Sequence, residues 1–233
     1  MGDHQKPSLT YSSYLQVDSL LKLQKPLSEP VAHDELLFII IHQVYELWFK
    51  QILFELDSVV QHLSKSDFIK CIRRLERVSE IMRVLIQQID VLETMTPVEF
   101  NRFRSHLNPA SGFQSLQFRE LELLCGLDPA EYENFKNIQP EWADRLQERM
   151  AKPSIRQAFF QMLKREGLAM TDDLAAESFH QIYLDPQQES VYRSLCEGLI
   201  KFDEQITLWR FRHVQMVERM IGMKAGTGGS LGV

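Results

Sequence analysis

Between Val31 and Thr96 the chain contains neither proline nor glycine. So long a stretch without either breaker, at this composition, is the mark of helices. A break is expected at Ser64-Lys65-Ser66-Asp67, giving one helix from about Asp34, as N-cap, to about Leu63. The second carries Ile69, Ile72, Leu75, Val78, Ile81, Met82, Leu85, Ile89 and Leu92. Steps of three and four place these side chains on one stripe that faces a core.

Three further helix starts share one signature. Thr96-Pro97-Val98-Glu99, Asp128-Pro129-Ala130-Glu131 and Asp185-Pro186-Gln187-Gln188 each read as N-cap, proline at N1 and Glu or Gln at N3. The cap oxygen takes an orphan backbone N–H, and the N3 side chain reaches back to the cap. The last helix is expected from about Pro186 to Lys224, before the glycines at 226, 228, 229 and 232. No strand alternation, internal repeat or linker stands out. The reading is an all-α fold: an arm with a short helix over residues 1–30, then one helical domain over 31–233.

Two histidines sit in apolar, aromatic surroundings. His42 follows Phe38-Ile39-Ile40-Ile41 and precedes Tyr45 and Phe49; His213 has Trp209, Met216, Val217 and Met220 on or beside its helical face. An imidazole on such a face is costly unless its nitrogens find partners. A core histidine bonded to a carbonyl satisfies that demand, and so does an axial haem ligand on a rigid helix. Spacing leaves both readings open. Arg210 and Arg212 flank His213, suitably for the carboxylates of such a cofactor. Phe100 and Arg104, at i and i+4, offer an aromatic ring beside a planar fork that suits a carboxylate; a surface arginine laid over a phenylalanine fits the same spacing. Gly226-Thr227-Gly228-Gly229-Ser230 reads as a mobile tail or as a loop closing on a ligand through Thr227. His62 and His106, in polar surroundings, read as surface residues.

Other chemistry is disfavoured. The sole ExxH, Glu177 to His180, falls short of the two that a di-iron carboxylate bundle needs. No HExxH or GxSxG occurs. Cys71, Cys125 and Cys196 are odd in number and far apart, which fits a reducing cytoplasm. A net charge of −6 argues against a general nucleic-acid binder. No uncharged apolar run approaches the roughly 18 residues of a membrane span.

Several segments together resemble the tryptophan 2,3-dioxygenase family, in the family's order and over nearly the whole chain. They are Tyr11-Ser12-Ser13-Tyr14-Leu15, His33 through Gln43, Glu46-Leu47-Trp48, Leu92 through Pro97, Pro109-Ala110-Ser111-Gly112-Phe113-Gln114-Ser115, Trp209 through His213, and Gly226 through Ser230. The resemblance implies a haem b enzyme, one haem per subunit, that cleaves the indole C2–C3 bond of L-tryptophan with O2 to give N-formyl-L-kynurenine. It makes His213 the axial iron ligand and His42 the catalytic distal histidine that holds the indole N–H. Phe38, Ile39, Ile40, Ile41 and His42 would line the substrate pocket. Phe100 stands where some members carry tyrosine. Arg104 would grip the carboxylate, Thr227 the amino-acid end, and Ser111 and Gly112 would border the distal side of the haem. The resemblance also implies a homotetramer in which Tyr11, Tyr14 and Leu15 of one arm reach a neighbour's site. The rivals are a related haem enzyme acting on a modified indole or another aromatic amino acid, a non-catalytic haem sensor, and a haem-free helical module.

Overall fold

The computed structural model describes residues 8–128, 140–168, 175–184 and 190–222. Among these residues every regular element is helical. Helix α1 spans Tyr11–Leu15 and α2 Val17–Leu20; α3 is Glu35–Leu63, α4 Phe68–Leu92 and α5 Pro97–Phe103. Then come α6 Leu116–Cys125, α7 Ala143–Met150, α8 Ile155–Arg165, α9 Ala175–Leu184 and α10 Val191–Ile221. Short 3-10 turns lie at Arg104–Leu107, Gly112–Gln114 and Pro140–Trp142.

The long unbroken run splits where expected. Ser66 takes φ +56 and its hydroxyl donates to Glu166, tying the α3–α4 turn to the end of α8. The reversed chain zips α3 against α4: Ile52, Leu56, Val59 and Leu63 meet Cys71, Leu75, Val78 and Met82 in one core, all at most 1% exposed. Burying each such side chain is worth roughly 1.5–3 kcal/mol. Ile69 departs from the predicted stripe and is 63% exposed; Phe68 and Cys71, on either side of it, pack on or in the core instead. The buried Glu55 of α3 pairs with Arg74 and Arg77 of α4 at 3.4 and 2.7 Å, and its carboxylate also accepts from Gln51 at 2.8 Å.

Helix α10 completes the central trio and runs in the same sense as α4. Gly198 lies against Leu75, Gln205 donates to the Ser79 carbonyl, and Arg212 pairs with Asp90 and Glu93. Its start differs from expectation: the N-cap is Ser190, whose hydroxyl accepts from the Arg193 N–H. The motif at Asp185 lies outside the described residues, as do Pro129 with its helix start and the glycine segment with Thr227. The Thr96 box is formed as predicted, with Thr96 Oγ1 and Glu99 exchanging bonds with each other's backbone N–H. Asp34 occupies the N-cap position of α3 but makes no capping bond; its carboxylate bonds the His33 ring instead.

Around this trio pack α6, α7, α8 and α9. Ser115 caps α6, and Gly126, at φ +105, ends it with Leu127 N–H returning to the Glu122 carbonyl. That left-handed turn is open to glycine at little cost. Arg149 of α7 grips Asp57 of α3 with two bonds of 2.5 and 3.0 Å. By length and composition α3 is apolar enough to cross a membrane; here it is packed against α4, α6 and α8. His62 is half-buried rather than superficial, its Nδ1 3.6 Å from Asp67, because the turn folds Asp67 back over it. His106 is exposed as expected.

Helices α1 and α2 bury none of their residues. The arm meets the body farther along: Gln43 exchanges bonds with Gln24 and the Leu23 carbonyl, and Glu35 accepts from the backbone of Leu27 and Ser28.

Candidate functional site

Helices α3, α5, α6 and α10 leave between them an open cavity of about 350 Å³. Each histidine reaches it from a long, well-anchored helix: His42 from α3 and His213 from the antiparallel α10. Phe38 and His42, at i and i+4, share the cavity face of α3, and Tyr45, Glu46 and Phe49 continue it. Trp209, His213, Met216, Val217 and Met220 do the same for α10.

Aromatic rings brace both imidazoles. Phe38 lies 4.0 Å from the His42 ring and leans on Phe100 and Phe103 at 5.8 and 5.6 Å. Trp209 stacks on His213 at 5.2 Å and 20°, held from behind by the edges or faces of Tyr45, Phe49 and Phe118.

Burial lowers the pKa of both histidines. For His42, burial outweighs the opposing influences of the Phe38 carbonyl and Glu46. For His213, burial and then the nearby His42 bring the value down to about 4. Both rings are therefore neutral near pH 7. His42 Nδ1 is 2.7 Å from the Phe38 carbonyl oxygen. A carbonyl can only accept, so Nδ1 carries the proton and Nε2 keeps its lone pair. His42 is thus set to accept a hydrogen bond from a ligand N–H. Neutral His213 is competent as a metal ligand.

Polar groups are few and clustered. Arg104 lines the cavity where α5 gives way to its 3-10 turn, one turn after Phe100, which also lines it. Ser111 and Gly112 border the cavity, with Ser111 capping the turn that follows. On the wall made by α6 and α10, Glu122 bridges Arg119 at 2.7 Å and Arg210 at 3.2 Å. The wall therefore carries two guanidiniums beside the cavity. Arg212 does not share in it: two residues on from Arg210, it has turned to Asp90 and Glu93.

The cavity thus gathers Phe38, His42, Phe100, Arg104, Ser111, Gly112 and His213 of the residues singled out from sequence. It does not gather Ile39, Ile40 and Ile41. Successive helical residues turn by about 100°, so these three leave the face that Phe38 and His42 share. Ile41 enters the core at 3% exposure, while Ile40 is 42% exposed. Tyr11, Tyr14 and Leu15, at 79, 72 and 45% exposure, do not line their own chain's cavity. Sequence reasoning missed Phe118, Arg119 and Glu122. Ser115 before an apolar stretch and Gly126 after it would have marked α6 and its i, i+3 ion pair.

The donor set suits an iron porphyrin. Among the described residues no three His, Cys, Asp or Glu side chains stand together to hold a metal ion unaided. One neutral imidazole on a rigid helix, facing an aromatic and methionine-rich space, is what an iron already held in a macrocycle requires. The guanidiniums of Arg119 and Arg210, on the cavity wall, are of the type that suits that macrocycle's carboxylates.

Comparison with known proteins agrees with this geometry. The family model for tryptophan 2,3-dioxygenase matches residues 2–181 and 170–233. A tryptophan 2,3-dioxygenase of Nocardioides sp. is 50% identical over 98% of this chain and 88% of its own length. That of Herpetosiphon aurantiacus is 46% identical over 97% and 90%, and that of Xanthomonas campestris pv. campestris 41% identical over 97% and 80%. With two neutral histidines facing one aromatic cavity and likeness along almost its entire length, the chain belongs to the tryptophan 2,3-dioxygenase family.

Proposed function

We propose that the protein is a haem-dependent dioxygenase that opens the indole C2–C3 bond of L-tryptophan with O2, giving N-formyl-L-kynurenine. The observation that carries the reading is the pairing of His42 and His213 at one cavity with Arg104 beside them. His213 would hold haem b, one per subunit, through its neutral imidazole, and Arg119 and Arg210 would serve its carboxylates. When bound, the haem supplies the iron at which O2 is activated.

The chain's own residues place the substrate. The unprotonated Nε2 of His42 accepts the indole N–H. A neutral imidazole is far too weak a base to remove that proton outright, so His42 orients the ring. Arg104 meets the carboxylate with its planar fork, and Phe38 and Phe100 pack on the indole. Thr227, outside the described residues, holds the amino-acid end. Such fixing of one bond against a bound co-reactant can supply about 7–11 kcal/mol of a barrier. Ser111 and Gly112 would border the distal side, and Phe100, standing where some members of the family carry tyrosine, offers no hydroxyl.

The assembly is a homotetramer in the cytoplasm, with Tyr11, Tyr14 and Leu15 of each arm lying at a neighbour's cavity. Two observations support association between copies. Leu36, Ile40, Leu47 and Phe54 form an outward apolar stripe along α3, and the arm's own apolar residues are uncovered. Patches of that kind favour association. Mixing ferrous, haem-loaded protein with L-tryptophan under labelled O2 tests the function. The expected product carries both oxygen atoms; haem-loaded protein that leaves tryptophan intact overturns it.

A further inference from the structure

Glu35 is 1% exposed, yet nothing in the cavity uses it. Its carboxylate accepts from the Leu27 N–H at 2.6 Å, from the Ser28 N–H at 3.1 Å and from the Ser28 hydroxyl. The same Ser28 oxygen accepts from the Ala32 N–H at 2.8 Å, so the knot is closed. Ser28 itself is 3% exposed. A buried carboxylate is costly unless its lone pairs are filled, and here backbone and hydroxyl donors fill them. Two turns on, Gln43 adds a second tie, through Gln24 and the Leu23 carbonyl at 3.2 Å.

The place of this knot matters more than its strength. Glu35, Phe38 and His42 follow at i, i+3 and i+7, so the carboxylate heads the stripe that faces the cavity. It lies within electrostatic reach of His106, two residues past Arg104. The root of the arm is therefore fixed to the end of the cavity that Phe38, His42 and Arg104 share. Beyond that root the arm carries Leu9, Tyr11, Tyr14 and Leu15, all exposed and none lining this chain's cavity.

We propose that Glu35 is a positioning residue for tryptophan binding that acts in trans: it sets the exit of its own arm, and the arm completes the site of a neighbouring copy. This rests on the arm exchange proposed above. Glu35→Gln tests it. The amide is the same size but turns one acceptor into a donor, which must face an N–H or the Ser28 hydroxyl. The expected result is a rise of about tenfold in KM for L-tryptophan, the effect of about 1.4 kcal/mol. Haem content and Soret spectrum stay as in the wild type, and kcat changes by less than about threefold. Ser28→Ala, which removes only the hydroxyl, serves if Glu35→Gln folds poorly, with a smaller rise of KM in the same direction.

Hybrid assemblies decide between trans and cis action. Glu35→Gln chains are co-expressed with His213→Ala chains, which bring intact arms but no haem ligand. A low-KM phase should return, because a haem-bearing Glu35→Gln site beside a His213→Ala chain receives that chain's intact arm. An unchanged KM in both variants, a raised KM that hybrids do not restore, or a wild type that is monomeric in solution each overturns the proposal. Wild-type protein that does not turn over tryptophan is a different failure, that of the function itself.

Discussion

Trp209 offers the sharpest test of how the site is held. It is 6% exposed and packs against Tyr45, Phe49 and Phe118 at 5.7, 5.7 and 5.2 Å while its other face stacks on His213. Replacing a buried tryptophan by alanine costs about 3–5 kcal/mol, from lost transfer energy and from the void. Each aromatic contact adds about 0.5–1.5 kcal/mol beyond area, though not independently. Against this, Trp209 borders the open cavity, so water can enter the vacated space. Trp209→Ala is therefore placed at about 3 kcal/mol, near the low end. For a domain this long, that lowers Tm by about 6–12 °C. The melt belongs on haem-free protein, since bound haem adds stability by mass action. Trp209→Phe keeps a ring on the imidazole and should lose less than half as much. A Tm for Trp209→Ala within about 2 °C of wild type would refute the packing role. If the variant melts early but reconstitutes with an unchanged iron–histidine stretch in the resonance Raman spectrum, the stack does not orient His213.

Three further outcomes follow from single residues. Arg104→Ala should weaken tryptophan binding by about tenfold to a hundredfold, the worth of a hydrogen bond to a charged group, and leave haem binding intact; equal loss of both contradicts the assignment. Gly198→Ala gains about 1 kcal/mol of helix propensity, but its new Cβ would lie 3.2 Å from Leu75 Cδ1 and 3.4 Å from Leu75 Cβ, beside a residue with no room to yield. Overpacking at about 1–3 kcal/mol outweighs the gain, so a variant more stable than wild type in urea would be a refutation. Burial raises the pKa of the Glu35 carboxyl, but the Leu27 N–H and the Ser28 hydroxyl and N–H outweigh it and hold the value below the ordinary 4.5. Its contribution is thus complete above that value and is lost as pH falls through the lower one. Proteolysis of the arm should accelerate in that acid range, and Glu35→Gln should show the fast rate at neutral pH as well.

Much of the fold was legible because local signals agreed with one another. The α3–α4 break, the Thr96 cap and the stripe from Leu75 to Leu92 depend on near neighbours, and tertiary packing did not override them. Asp34 shows the limit: an N-cap residue by type, it spends its carboxylate on His33. Ser190 shows another. Proline at N1 drew attention to Asp185, while the hydroxyl that caps α10 lies five residues later. Helix α6 escaped notice because Arg119, Glu120 and Glu122 look like a solvated face. They are buried, but only because Arg145, Arg149 and Arg210 arrive from distant parts of the chain.

The site was legible for a different reason, and α3 shows why it was legible only in part. The run Phe38-Ile39-Ile40-Ile41 is apolar at every position, so periodicity cannot say which residue faces what. A helix apolar all round has more than one face to cover. The cavity takes Phe38 and His42, the core takes Ile41 and Ile52, and Tyr45 borders both. That leaves Leu36, Ile40, Leu47 and Phe54, at intervals of four and seven, turned outward and 42 to 70% exposed. No residue of this chain covers that third face among those described. The same helix that carries His42 therefore also offers a surface to a second copy, and the arm is rooted on it through Glu35 and Gln43. Catalysis and assembly then share one rigid element. On this argument a charge placed on the outer face, as in Leu47→Glu, should break the assembly and raise KM for tryptophan, although Leu47 does not line the cavity. Tetrameric protein with a normal KM would show that α3 faces no partner.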